Sequence, residues 1–120
     1  MAEYCGYKKL NVYIKANDLV IGVYDITKRF PKEELFGLVS QMRRCAISVV
    51  ANIAEGYGKN TKKDKLNFCY ISRGSLTEIE YYIDLSYQLK YISKDQFFNL
   101  KGKRDEVGRL LFGYMRSLAK

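Results

Sequence analysis

Between Phe30 and Lys59 the chain reads FPKEELFGLVSQMRRCAISVVANIAEGYGK, and the periodicity of this stretch restricts the fold more than any other feature. Pro31, the single proline, is followed by Glu33 and Glu34, which suit the positive end of a helix dipole. Gly56 and Gly58 close the pattern. On a wheel of about 100° per residue, Leu35, Leu38, Val39, Met42, Ala46, Val49, Val50 and Ile53 form one broad apolar face. Gln41, Arg44, Ser48, Asn52 and Glu55 make a polar stripe opposite it. Between the two runs a third strip, Phe36, Ser40, Ile47, Ala51 and Ala54 with Arg43. A helix lying on a domain surface needs only one apolar face. This one is expected to be covered on most sides, with its stripe satisfied by partners, Arg44 bonding Glu55 across a subunit boundary or Glu80.

Three further stretches repeat the helical period. Val12, Ala16, Leu19, Val23 and Ile26 define a seam over about residues 10–28, with Gly22 allowing close approach. Residues of about 62–89 carry two apolar faces, Cys69, Ser72, Leu76, Ile79 and Ile83 on one, and Phe68, Ile71, Tyr82, Leu85 and Leu89 on the other. Gly74-Ser75 in its middle lowers helix propensity and predicts a close crossing there. Phe97, Leu100, Val107, Leu111, Tyr114 and Leu118 mark a last helix over about 94–118, its seam interrupted by Arg104. Thr61-Lys62-Lys63-Asp64 and Ser93-Lys94-Asp95-Gln96 read as capping boxes at the starts of the last two helices. With no strand pattern and short connections, residues 1–120 are expected to form one all-α domain, an antiparallel up-down-up-down four-helix bundle with helices at about 10–28, 32–56, 62–89 and 94–118.

Charge narrows the partners. The chain has 120 residues and a net charge of +8, unevenly spread. Residues 59–65 hold four lysines against one aspartate, and residues 94–120 hold seven basic against three acidic side chains, whereas 72–90 are slightly acidic. Lys59, Lys62, Lys63, Lys65, Lys101, Lys103, Arg104 and Arg109 are therefore the candidate contacts to a nucleic-acid backbone. The same charge also serves solubility. Tyr70, Tyr81, Tyr82 and Tyr87 can stack on bases or line a core and an interface. No uncharged run approaches the ~18 residues of a membrane span, and the N-terminus lacks the pattern of a signal peptide. Cys5, Cys45 and Cys69 show no metal-type spacing. Reduced thiols in a cytoplasmic protein are the expectation, with no membrane, metal or cofactor.

The strings FPKEELFGLVSQMRRCAISVVANIAEGYGK and ISRGSLTEIEYYIDLSYQLKYIS resemble the bacterial four-helix-bundle family encoded in intervening sequences of 23S rRNA genes, sometimes labelled S23 ribosomal protein. The accessory variability protein of diversity-generating retroelements is similar to that family. The resemblance implies a bundle, a ring-shaped homo-oligomer with five copies favoured, and an RNA or DNA partner. It implies no enzyme and does not establish residence in the ribosome. Members commonly read S-I-P-A-N-I-A-E-G where this chain has Ser48-Val49-Val50-Ala51-Asn52-Ile53-Ala54-Glu55-Gly56. Val50 in place of the proline retains a helix N–H, so a straighter second helix is expected.

Catalytic chemistry finds little footing in these residue types. There is no histidine, which removes Cys-His and Ser-His nucleophilic pairs and the Glu-x-x-His signature of di-iron bundles. Glu78 and Glu80, two apart on a helix, point to different sides. Glu55 beside Arg44 reads as a structural pair as readily as an acid or base. Two functions follow: a non-enzymatic oligomer that binds RNA or DNA backbone as an adaptor, or an oligomeric scaffold that binds protein without touching nucleic acid.

Overall fold

The computed structural model describes residues 6–120, so the Cys5 thiol and the first residues of the expected domain lie outside the described residues. Four α-helices account for most of the chain: α1 (Asn11–Thr27), α2 (Ser40–Tyr57), α3 (Lys62–Gln88) and α4 (Lys94–Ala119). Each helix packs on its neighbours in sequence, and α1 also packs on α4, which closes the bundle. The result measures 43 × 27 × 21 Å, with no strand among the described residues.

The heptad-like seams become the core. Val12, Ala16, Leu19 and Val23 of α1 meet Met42, Ala46, Val49 and Ile53 of α2, Cys69, Leu76, Ile79 and Ile83 of α3, and Leu100, Val107, Leu111 and Met115 of α4. Gly22 allows the α1–α4 approach, since a Cβ there would lie 3.2 Å from Leu100 Cδ1. The Ser93 box forms in both directions, Gln96 N–H donating to Ser93 Oγ and Ser93 N–H to Gln96 Oε1. At Thr61 only half of the expected box is present: Asp64 N–H donates to Thr61 Oγ1, with no reciprocal bond from Asp64.

Two expectations need correction. The second helix does not run regularly from residue 32. Lys32–Glu34 form a 3₁₀ turn, Leu35–Val39 form a wider π turn, and Gly37 leaves helical geometry at φ −111°, ψ −109°. Glu34 holds this distorted entry, accepting from Leu38 N–H at 3.3 Å and from the Tyr91 hydroxyl at 2.8 Å. Leu35, assigned to the apolar face by periodicity, is exposed, and Phe36 is 91% exposed. Downstream, α2 passes unbroken through Val50.

Gly74 does not mark a helix crossing, because a Cβ added there would meet nothing within 4 Å. The close approach of α2 and α3 occurs at Gly56, whose added Cβ would stand 2.8 Å from Phe68 Cβ and 3.2 Å from the Lys65 main-chain oxygen. Further along the same seam small polar groups line the contact. Ser72 Oγ donates to Val49 O at 2.9 Å, Ser75 Oγ donates to Ser48 Oγ at 2.9 Å, and Cys45 Sγ donates to Ser75 O at 2.9 Å.

Candidate nucleic-acid interface and the polar stripe

The stripe on α2 divides between two environments. Ser48 and Asn52 turn toward α3 and join the hydroxyl network, Asn52 Nδ2 donating to Ser48 O at 2.8 Å and to Ser48 Oγ at 3.1 Å. Gln41 and Arg44 are exposed and line a shallow cleft of about 230 Å³ with Cys45, Ser48, Ser75 and Glu78. The expected burial of Arg44 is not found within the chain, and among the described residues it makes no ion pair. Its expected partner Glu80 is held instead by Lys101 at 3.3 Å and Arg104 at 3.9 Å. Glu55 is paired with Lys59 at 3.5 Å, one turn away on the same chain. A half-buried contact is made instead by Arg43, whose Nε donates to Thr27 Oγ1 at 3.0 Å while its guanidinium lies 4.4 Å from the Tyr24 ring centre.

Desolvation governs the thiol on this seam. Burial pushes the Cys45 pKa up to about 12, with the Glu78 carboxylate adding to the effect. Cys69 is also shifted upward by burial. A thiol held protonated is a poor nucleophile. Among the described residues no three His, Cys, Asp or Glu side chains stand close enough to hold a metal ion.

The eight candidate phosphate contacts separate just as clearly. At the middle of the α3–α4 seam, Arg104 Nε donates to Leu76 O at 3.0 Å and its Nη1 reaches Asp105 at 3.2 Å, leaving the side chain only 18% exposed. Lys101 is tied to Glu80, and the stem of Lys103 packs beside Gly22. Near the α2–α3 connection, Lys65 Nζ donates to Tyr57 O at 2.7 Å and so caps the end of α2. Lys59 is paired with Glu55 and sits 5.1 Å from the Phe68 ring centre. Lys62 Nζ donates to the Lys120 main-chain oxygen. Of the eight, Lys63 and Arg109 are exposed with no bonded or ionic partner among the described residues.

Charge counting along the sequence overlooked two arginines that the helices place in the same half of the bundle, where α3 begins and α4 ends. Arg73 on α3 lies 5.0 Å from the Tyr70 ring centre, and Arg116 on α4 lies 5.8 Å from that of Phe112. Both arginines are exposed and make no ion pair among the described residues. The spacing of Tyr70 to Arg73 and of Phe112 to Arg116, i to i+3 and i to i+4 on a helix, was visible in the sequence. Its significance needed the antiparallel register, which brings the beginning of α3 to the end of α4. No helix among the described residues is long and apolar enough to cross a membrane.

Comparison with known proteins adds a family and a fold. Residues 8–113 match the family described as 23S rRNA-intervening sequence protein. The fold is shared with a crystal structure of a protein with unknown function from the S23 ribosomal protein family of Bacteroides thetaiotaomicron VPI-5482. That similarity has a TM-score of 0.80 at 24% identity and covers 88% of this chain and 95% of that one. No curated protein matches the chain.

Proposed function

The chain belongs to the 23S rRNA-intervening sequence protein family, and from that premise we propose that it is a non-enzymatic, cytoplasmic adaptor that binds RNA or DNA through the phosphate backbone. One observation carries this reading: Lys63, Arg73, Arg109 and Arg116 stand exposed along the half of the bundle where α3 begins and α4 ends, with no acidic partner among the described residues. Cations already paired inside the protein gain little from a phosphate, whereas unpaired ones release condensed counterions from the polyanion when they bind. The reading rests on these four rather than on all eight residues picked out by charge density.

A salt titration of oligonucleotide binding tests it. Log affinity is expected to fall linearly with log salt, and Lys63→Ala/Arg109→Ala should reduce the slope by about 1.4–1.8, as for two lost phosphate contacts. Absence of binding by the wild type at ~50 mM salt would overturn the reading.

A second reading concerns assembly. The groove between α1 and α2 is apolar and open, about 280 Å³ in volume, with Tyr13, Val20, Ile47, Val50 and Ala51 in its walls. Leu35 and Phe36 of the π turn line an adjoining cleft with Ile47, and Ile14 and Ile21 of α1 are exposed as well. Contiguous exposed apolar surface marks an interaction site, and we propose that a further copy of this chain covers it. Repetition of these exposed cations in such an oligomer makes weak phosphate contacts multivalent. Light scattering should give a mass above the 14.0 kDa of one chain, reduced toward it by Phe36→Ser. A monomer at micromolar concentration would defeat the assembly. Salt-indifferent capture of a partner protein, with no oligonucleotide binding, would favour the scaffold alternative.

A further inference from the structure

We propose that the outer α3–α4 face along this basic half selects single-stranded over double-stranded nucleic acid, with unpaired bases stacking on Tyr70 and Phe112. The proposal rests on the nucleic-acid reading above and adds to it a discrimination that phosphate contacts alone do not provide.

The antiparallel register places the two rings together. Arg104 reaches the Leu76 carbonyl, Lys101 reaches Glu80, and Lys62 reaches Lys120 across the seam. Continuing that pairing sets Tyr70 level with Phe112 and Arg73 level with Arg109. Both rings are exposed, Tyr70 by 49% and Phe112 by 61%. Neither belongs to the core or to its packed margin, and the Tyr70 hydroxyl has no hydrogen-bond partner among the described residues. Burial therefore does not account for them.

What surrounds each ring is distinctive. An arginine one turn further along each helix lies over the ring, and a glycine occupies a neighbouring helical position. Tyr70 has Arg73 at i+3 and Gly74 at i+4, while Phe112 has Arg116 at i+4 and Gly108 at i−4. A Cβ at Gly74 or at Gly113, beside Phe112, would meet nothing within 4 Å, and one at Gly108 only the tip of Arg104 at 3.8 Å. The surface next to each ring is thus bare on one side and cationic on the other.

A planar base can enter that space, stack on the ring and leave its phosphate beside the guanidinium, which also favours planar π-systems. Bases in a duplex are stacked on one another and cannot offer their faces, so only an unpaired strand uses both features. An acidic peptide would satisfy the arginines but would leave the rings without a partner.

The test compares a labelled mixed-sequence single strand with a duplex carrying the same number of phosphates, each titrated against wild type, Tyr70→Ala/Phe112→Ala and the ring-preserving Tyr70→Phe/Phe112→Tyr. Helix content by circular dichroism provides the folding control, which these exposed positions should leave unchanged. The wild type should prefer the single strand. The alanine pair should lose about tenfold or more in single-strand affinity with its salt slope and duplex affinity unchanged, and the ring-preserving pair should retain the preference. Equal affinity of the wild type for both probes, or no loss in the alanine pair, would overturn base stacking while leaving the phosphate reading intact. Failure of the wild type to bind either probe would overturn both.

Discussion

Helix α3 is held on its two flanks by opposite means. Against α2 the contact is short-range: Gly56 brings the backbones together, and Ser48, Ser72, Ser75 and Cys45 satisfy one another or main-chain carbonyls. Against α4 the middle of the seam is spanned by long side chains, Arg104 and Lys101 reaching Leu76 O and Glu80. The first arrangement leaves almost no room for adjustment where the helices touch, and beside it the shallow cleft at Gln41 and Arg44 offers one unpaired cation. The second fills its middle with ion pairs but leaves the exposed arginines and rings beyond them open. Both flanks are polar, yet it is the α4 flank that sets exposed arginines beside exposed rings.

The sharpest way to break the comparison is to enlarge the tight flank. Gly56→Leu should destabilise the fold by ~3 kcal/mol or more, measured by urea unfolding, because overpacking against Phe68 and the Lys65 carbonyl forces backbone movement. On the other flank, Arg104→Ala should cost about 1.5–3 kcal/mol, the range for hydrogen bonds involving a charged group. Arg109→Ala and Arg116→Ala, lacking ion pairs, should stay within ~0.5 kcal/mol of wild type in the same assay. Similar losses at all three positions would dissolve the division between bonded and unpaired arginines along the seam.

Smaller effects sharpen it. Gly74→Ala should raise stability by about 0.5–1 kcal/mol, the reverse of the Gly56 change, since the added methyl meets nothing and helix propensity improves. Lys101→Ala should cost ~1 kcal/mol or less, as expected for a partly exposed ion pair.

The effect expected to vanish at neutral pH is that of the Cys45 thiol. Its pKa is raised from 9.0 to about 12 in the folded chain. Below pH 9 the thiol is neutral in both states and its contribution is constant. Above pH 9 the unfolded chain releases the proton while the folded chain keeps it, so stability falls as pH rises toward 12. The urea midpoint followed over this range should fall less steeply in Cys45→Ala than in wild type.

Much of this fold was legible in the sequence because helical period is a local property. Val12 through Ile26, Leu38 through Ile53 and Leu100 through Leu111 each show their buried face without reference to any other helix. The entry to α2 was not legible: Leu35 and Phe36 fit the wheel, but Glu34 is drawn to Tyr91, far away in the chain, and the turn between them widens. Gly74 and Gly56 show the same limit. Each is a glycine in a helical pattern, and only the partner helix decides which one makes the crossing.

The candidate site divides along that line as well. Composition alone established a basic chain without histidine, and alternating apolar steps established four amphipathic helices. Which cations remain available was decided in three dimensions, where a Coulomb pair depends on separations of a few ångströms between residues distant in sequence. Lys65 is taken up by the end of α2, Lys101 and Arg104 by α3, while Arg73 and Arg116 are left exposed beside aromatic rings. Periodicity records which side of a helix is apolar. It carries no record of what the neighbouring helix brings to the other sides, and that is where the charges of this protein are either neutralised or left for a ligand.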